Sequence, residues 1–444
     1  MELDMTQGNP TKIIFKFLVP VIFGGIFQQL YNVADTVIVG RFLGVEALAA
    51  VGSTGMLYYL IFGTVSGLTS GFTVLISRRF GAHDEEGVKK SVGNAWSLCI
   101  SIALVMTILS VSGMGWLLHA MNTPTDIFDM AKTYMTIICF GMCFTIADGL
   151  LNGMLRAVGN SKVPLYGQIV SAVLNIAMDI IFLMIFHMGV EGVAIATVLS
   201  QIVNAVWCLV YIVRKMPALC FKKHYLIPDG AYIRVQLSIG IPMSVQTAIT
   251  AGGMVMIQSA LNMLGTTAVG AYSVASKIDV LTTMVLSAVG STVGIYSAQN
   301  RGKNDLERIR AGVKSGFRMI IIYAIVSFTL VQLFLPQLTK FFVSQGAGQV
   351  FPYVRTYITI CGTFYIALGM IFLYRNTIQS CGFGFLTVIG GMLELACRIT
   401  ASLFVAKTMN FAVVCAANGG TWFITGLYLF ICYRYVMKKM EAEG

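Results

Sequence analysis

The chain has little charge and lacks the residue patterns of most soluble chemistry. Only 11% of its 444 residues are charged, whereas 57% are hydrophobic. The ten cysteines form no CxxC pair and no spacing with histidine that would bind zinc. No Gly-rich GKS or GKT phosphate loop, His-Glu metal motif or Ser-His-Asp set is present either. These absences give no support to ATP-driven pumping or hydrolysis, so we expect neither an enzyme nor a bound cofactor.

Long apolar runs dominate the chain instead. Trp96–Leu118 contains no charged residue over a length that crosses a lipid bilayer. Hydropathy therefore predicts an all-α membrane protein with twelve transmembrane helices. The predicted spans are 13–39, 48–77, 92–118, 131–155, 163–186, 190–213, 235–262, 268–298, 312–338, 354–380, 384–406 and 412–436.

Lysine and arginine are distributed unevenly between the two sets of loops. They concentrate on the side of the termini, as in Arg78–Lys90 and Arg301–Arg318, and are sparse in the opposite loops. Because cytoplasmic loops carry this excess, we expect both termini in the cytoplasm and the protein in the inner (plasma) membrane. The net charge of +11 is then explained by topology and predicts no nucleic-acid partner.

The two halves of the chain resemble each other. Pro20 precedes the run Phe42–Gly52, and Pro242 precedes the similar run Met263–Ala271, at an offset of about 222 residues. Because each half has an even number of spans, the halves should insert as parallel repeats with a binding site between them, which favours alternating access. The predicted divisions are an amino-terminal six-helix lobe at 1–214, a cytoplasmic linker at 215–229 and a carboxy-terminal six-helix lobe at 230–444.

Two carboxylates lie inside predicted spans of the first half, Asp35 in span 1 and Asp179 in span 5. An ionisable group in hydrocarbon costs at least ~2.5–3.5 kcal/mol, so it is expected to serve an ion or a wet cavity. Asn175 lies one turn before Asp179, and Thr197 on span 6 is at a similar depth. We predict that these four residues form an ion-coupling site for H⁺ or for Na⁺, which oxygen ligands would hold. The alternative is a set of buried polar groups that only fixes helix packing.

Further polar residues recur at three- and four-residue spacing on the same spans, so each helix has one polar face. We predict that these residues line a cavity for small-molecule substrates. They are Gln28, Tyr31 and Asn32 on span 1, Gln168 on span 5, and Gln201 and Asn204 on span 6.

Two other patterns in the first half favour structural roles. Gly63, Gly67 and Gly71 form a repeated GxxxG face on span 2, which allows close helix contact. Asp148 on span 4 is followed at four-residue steps by an asparagine and by Arg156. We interpret that series as support for the helix.

The second half contains a separate set of charges. Lys277 and Asp279 lie on span 8, Arg375 on span 10, and Glu394 and Arg398 one turn apart on span 11. One interpretation is that they neutralise each other in ion pairs inside the bundle. The other is a polar wall of the substrate cavity, where the excess of bases leaves room for an anionic group.

These features resemble the multidrug and toxic compound extrusion (MATE) transporters. The likeness covers the whole chain and lies in the proline-containing first helix, the motif Leu30–Thr36, the run Gly40–Ala50 and the segment Ser77–Ala82. It implies a V-shaped twelve-helix antiporter that exports amphipathic, often cationic compounds in exchange for H⁺ or Na⁺. Members with an amino-terminal-lobe coupling site use an aspartate on helix 1, an asparagine and an aspartate on helix 5, and a threonine on helix 6. The residues at those positions here look like Asp35, Asn175, Asp179 and Thr197.

One branch of the family has a second coupling site that needs acids on helices 7 and 10. This chain has no acid in span 7 and has Arg375 in span 10. We therefore expect a monomeric multidrug efflux antiporter that couples through its first half, with Pro20 as the hinge of span 1. The alternatives are a flippase for an anionic lipid-linked precursor, held by Lys277, Arg375 and Arg398, and a passive channel.

Overall fold

A computed structural model describes residues 3–342 and 347–443. Within these ranges the regular secondary structure is helical, with fourteen α-helices and two short 3₁₀ turns. The α-helices are α1 (Pro10–Phe42), α2 (Gly44–Gly81), α3 (Glu85–Ala120), α4 (Thr125–Phe140), α5 (Met142–Ala157), α6 (Lys162–Met184), α7 (Val190–Lys215), α8 (Gly230–Asn262), α9 (Thr266–Gly302), α10 (Leu306–Phe342), α11 (Ala347–Thr363), α12 (Tyr365–Ser380), α13 (Gly384–Thr408) and α14 (Phe411–Glu443).

Ten of these helices are individually long and apolar enough to cross a membrane. The pairs α4–α5 and α11–α12 each meet the same criterion together, although each pair is bent at a short break. Counting each pair as one span gives twelve spans. The prediction of an all-α, multi-pass membrane protein is therefore confirmed.

The order of the helices repeats. α1 and α8 each have 33 residues and an interior proline, Pro20 or Pro242. The fourth span of each half is the broken one, bent by 51° between α4 and α5 and by 50° between α11 and α12. The helix pattern thus agrees with the duplication seen in the sequence.

Close packing explains the position of both breaks. A Cβ atom on Gly141 would lie 2.4 Å from a methyl carbon of Val198, so the glycine lets the first break approach α7. At the second break, the ring of Phe364 covers Gly419 of α14, where a Cβ atom would lie 2.3 Å from the ring. Hydropathy did not reveal either break, because neither contains a proline or a charge.

The described chain forms two compact units. Unit 1 comprises Met1–Asp4 and Val19–Ser244, and unit 2 comprises Met5–Leu18 and Val245–Gly444. The chain passes from one unit to the other beside Pro20 in α1 and beside Pro242 in α8. The lobes at 1–214 and 230–444 are defined by the sequence repeat rather than by packing, and that division stays a prediction.

Glycines on α2 allow a close helix contact inside unit 1. A Cβ atom on Gly71 would lie 2.3 Å from the Cα atom of Gly240, and one on Gly67 would lie 2.8 Å from the Cα atom of Ser244. Both neighbours belong to the part of α8 that packs in this unit. The packing predicted from the small-residue face of span 2 is therefore confirmed.

We expect Gly71→Ala to lower the free energy of unfolding by about 1–3 kcal/mol, because backbone atoms, not a flexible side chain, fill the space that the new methyl group needs. Thermal unfolding of purified protein measures the loss. The control is Gly113→Ala on α3, where no heavy atom lies within 4 Å of the built Cβ position. Equal melting temperatures for the two variants would contradict the close contact.

Unit 2 is built around α9 and α12. These helices share the most extensive contact between any two helices described, and α12 also packs against α10 and α14. α13 packs against α14. This arrangement places the middle of α9 and the whole of α12 in the interior, where Asp279 and Arg375 are buried.

Candidate functional site

The four residues of the predicted ion site meet inside unit 1. Asn175 and Asp179 on α6 are completely buried, and Thr197 on α7 is 6% exposed. With its amide oriented to satisfy both neighbours, Asn175 donates to a carboxylate oxygen of Asp179 at 3.1 Å and accepts from the backbone N–H of Thr197 at 3.3 Å. The carboxyl groups of Asp35 and Asp179 lie within hydrogen-bonding reach of each other.

Two carboxylate oxygens of this cluster have no partner. Oδ1 of Asp35 and Oδ1 of Asp179 are both buried and accept no hydrogen bond. A buried, unpaired carboxylate oxygen is costly, and a proton or a hard cation would satisfy it. No group of three His, Cys, Asp or Glu side chains is arranged for a metal ion in the described ranges. A cation here would therefore also need the amide or hydroxyl oxygens of Asn175 and Thr197.

A polar cavity of about 220 Å³ lies in the same unit. Five of the predicted substrate residues line it: Gln28, Tyr31, Gln168, Gln201 and Asn204. Tyr31 also donates a hydrogen bond to the hydroxyl of Thr197 at 3.4 Å, so one side chain belongs to both the cavity and the ion cluster.

Asn32 is the exception among the predicted cavity residues of the first half. Its side chain is exposed, and it is absent from the cavity wall. Tyr31, which was also predicted, does line the cavity, and the roughly 100° rotation between successive helix positions turns Asn32 away from it.

Tyr58 of α2 and Asp148 of α5 also line the cavity, although neither was predicted there. Asn152 donates to a carboxylate oxygen of Asp148 at 2.8 Å, and the positive charge of Arg156 acts on the same group. These contacts agree with the predicted four-residue series. The cavity position of Asp148 could have been predicted from its charge, because a carboxylate inside an apolar span is expected to face a water-filled cavity.

Three charged residues of unit 2 form a buried triad. Glu394 of α13 accepts from Arg375 of α12 at 3.2 Å and from Arg398 at 2.8 Å. Each of the three residues is at most 8% exposed. The interpretation as internal ion pairs is confirmed for this part of the set. Because two guanidinium groups share one carboxylate, each arginine still has a buried Nε atom without a partner.

Lys277 and Asp279 do not pair in this way. Lys277 is exposed, with its ammonium 5.9 Å from the ring centre of Phe342. Asp279 is buried and accepts hydrogen bonds from the hydroxyl groups of Tyr365 and Tyr357. The expectation of an ion pair is wrong here, because residues two positions apart on a helix do not face each other.

Known proteins are similar to this chain over most of its length. The MatE family model matches residues 20–181 and 242–399. The chain is 29% identical over 336 residues to "Probable multidrug resistance protein YoeA" of Bacillus subtilis (strain 168), covering 74% of this chain and 73% of that protein. It is 25% identical over 389 residues to "Probable multidrug resistance protein YpnP" of the same organism, covering 85% and 84%. A solved structure described as "Crystal structure of MATE in complex with MaL6" superposes with a TM-score of 0.92 at 21% identity over 99% of both chains.

The two matched segments fall one in each half of the chain, as the internal repeat requires. Together they cover well over half of its residues. The structural similarity supports the same fold, with the twelve spans described above. Members of this family are transporters rather than enzymes, and the chain belongs to the MatE family of multidrug and toxic compound extrusion transporters.

Proposed function

We propose that the chain is a secondary active multidrug exporter that moves amphipathic, cationic small molecules out of the cell in exchange for H⁺ or Na⁺. The observation that carries the proposal is the position of Tyr31, which lines the polar cavity and contacts Thr197 of the ion cluster. A substrate in the cavity and an ion at Asp35 and Asp179 would then compete through shared groups. Such competition is what antiport requires.

The cavity favours a positively charged substrate. Asp148 contributes a carboxylate to a wall that otherwise consists almost entirely of neutral polar side chains. Two tyrosines, Tyr31 and Tyr58, supply ring surfaces on which a cation can rest. The names of YoeA and YpnP, both "Probable multidrug resistance protein", support drugs as the substrates but do not specify their charge.

The basic residues of unit 2 do not favour a flippase for an anionic lipid-linked precursor. Arg375 and Arg398 are buried and bind Glu394, whereas Lys277 lies exposed against Phe342. The three bases that were expected to hold a pyrophosphate are therefore not assembled into one site.

We further propose that the protein is a monomer in the inner membrane, with both termini in the cytoplasm. Pro20 is the proposed hinge of α1. An interior proline removes one helix hydrogen bond and permits bending. In α1 this residue lies beside the point where the chain passes between the two compact units. A bend there would change the position of Asp35, which is on the same helix.

The function is tested by reconstituting the purified protein into liposomes and imposing a pH gradient or a Na⁺ gradient separately. We expect a fluorescent lipophilic cation to move against its own gradient under one of the two conditions. Binding of the dye should also release H⁺ or Na⁺ in a fixed ratio. Dye movement without any gradient dependence would indicate a passive channel and overturn the proposal.

Asp148→Asn should weaken binding of a monovalent cationic dye by at least about tenfold, equivalent to about 1.4 kcal/mol, because it removes the carboxylate from the cavity wall. Fluorescence titration of the purified protein measures the affinity. The matched control is Asp126→Asn at the exposed start of α4, which should bind the dye as the unmodified protein does. Unchanged affinity in Asp148→Asn would place the dye elsewhere.

A further inference from the structure

A single carboxylate in unit 2 connects both sides of a broken helix. Asp279 of α9 accepts a hydrogen bond from the hydroxyl of Tyr365 at 2.9 Å and from the hydroxyl of Tyr357 at 3.4 Å. Tyr365 is the first residue of α12, and Tyr357 lies in the second half of α11. These two helices meet at an angle of 50°. The carboxyl group of Asp279 therefore binds one donor on each side of the bend.

The charge of Asp279 is not balanced by a base. Among the described residues no lysine, arginine or histidine lies within ion-pair distance of it, and its neighbour Lys277 is exposed. Glu394 offers a direct contrast, since it has similar burial in the same unit but binds two guanidinium groups. An ionised carboxylate inside a membrane span that has only hydroxyl donors is costly. Binding a proton removes that cost.

The groups that face Asp279 from the surrounding helices are uncharged at neutral pH, apart from one arginine. That arginine is Arg398. The charges of Arg398 and Asp279 both act on Tyr272, which lies within electrostatic range of these two groups. The titratable groups of this region are Tyr272 on α9, Tyr357 and Cys361 on α11, Tyr365 on α12, Arg398 on α13 and Cys415 on α14. Asp279 is therefore the group in this set that is expected to change charge first on acidification.

We propose that Asp279 is a proton-binding site of unit 2 and that its ionisation sets the geometry of the bend between α11 and α12. This site is separate from Asp35 and Asp179, and it does not depend on which ion drives transport. When ionised, the carboxylate accepts from both tyrosine hydroxyl groups. When it takes a proton from water, its new O–H group donates to one tyrosine oxygen, and that tyrosine no longer donates to it. Protonation is expected at the oxygen that faces Tyr357, which ends the longer of the two bonds, in which Tyr357 donates.

Infrared difference spectroscopy of the protein in lipid nanodiscs, between an acidic and an alkaline buffer, tests proton binding. We expect a C=O band of a protonated carboxyl group that disappears in Asp279→Asn and stays in the double variant Asp35→Asn/Asp179→Asn. Tyr365→Phe and Tyr357→Phe keep the carboxyl group but remove one donor each, so both should shift the band. Glu394→Gln is the matched control at a buried, paired carboxylate and should leave the band in place. Identical C=O bands in the unmodified protein and in Asp279→Asn would overturn the proposal, and so would a component that is lost in Asp279→Asn but unchanged in both tyrosine variants.

Amide hydrogen exchange of the peptide Cys361–Leu368 tests the effect on the bend. After correction for the intrinsic pH dependence, exchange in the unmodified protein should rise about threefold or more on acidification, because one side of the bend loses its contact. Tyr357→Phe should show the raised exchange in both buffers, since it never forms that contact. If the corrected exchange rate of the unmodified protein is the same at both pH values, protonation of Asp279 does not alter the bend. That result would refute the claim that its ionisation sets the geometry between α11 and α12.

Discussion

Replacing Asp35 or Asp179 with asparagine is expected to reduce gradient-driven efflux to the level of protein-free vesicles. Each change removes one of the two carboxyl groups that meet in unit 1, where an oxygen of each is buried without a partner. Asparagine preserves the shape of the side chain but cannot exchange a proton or supply a negative charge to Na⁺. Efflux of a fluorescent cation from energised inverted vesicles measures the effect.

Three companion measurements, of melting temperature, dye binding and dye-induced ion release, separate coupling from folding. Both variants should retain the melting temperature to within a few degrees and should still bind the dye, while dye-induced ion release is lost. Asn175→Ala and Thr197→Ala should lose only part of the efflux, because these residues supply neutral oxygens rather than charge. Asp129→Asn, at an exposed position of α4, serves as the control. Efflux at the unmodified rate in both aspartate variants would exclude a coupling role for this cluster.

Glu394→Gln is expected to lower the free energy of unfolding by about 3–5 kcal/mol, because it leaves the buried Arg375 and Arg398 without a carboxylate. Adding Arg398→Gln should recover part of the loss, and adding Arg375→Gln should recover more, since each step removes one unpaired buried charge. Thermal and denaturant unfolding in detergent measure the series.

The control for this series is Glu441→Gln, which breaks the exposed ion pair with Arg310. Exposed pairs contribute at most about 1 kcal/mol, so its effect should be small. Strictly additive losses along the Glu394, Arg398 and Arg375 series would contradict the triad. Loss of transport without any loss of stability would favour direct contact between these residues and substrate.

The helix pattern allowed the ion cluster to be predicted from sequence, because it depends only on local spacing and on depth. Asn175 and Asp179 are four residues apart and so share a helix face. The depth of Asp35 followed from the rise per residue and the direction of span 1. Their meeting in one unit then required only that the spans pack in one bundle. The identity of the ion that they bind, H⁺ or Na⁺, remains a prediction.

Side-chain direction across helices could not be predicted in the same way. Asp148 was assigned to helix support because its spacing to Arg156 is regular, although it also lines the cavity. Asp279 was expected to pair with a base, whereas tyrosines from two other helices reach it. Both outcomes depend on which neighbouring helix lies opposite, and hydropathy and periodicity contain no information about that.

The distribution of α1 and α8 between the units has a consequence for the origin of the chain. Unit 1 includes 230–244, which lies beyond the joint of the duplication, and unit 2 includes 5–18, which lies before it. A six-span ancestor equivalent to one half would have one copy of this segment, at the beginning of its own first helix. Two copies of such an ancestor could complete each other by exchanging the beginnings of their first helices, as in a domain-swapped dimer. Fusion of the two genes would have fixed this exchange within one polypeptide.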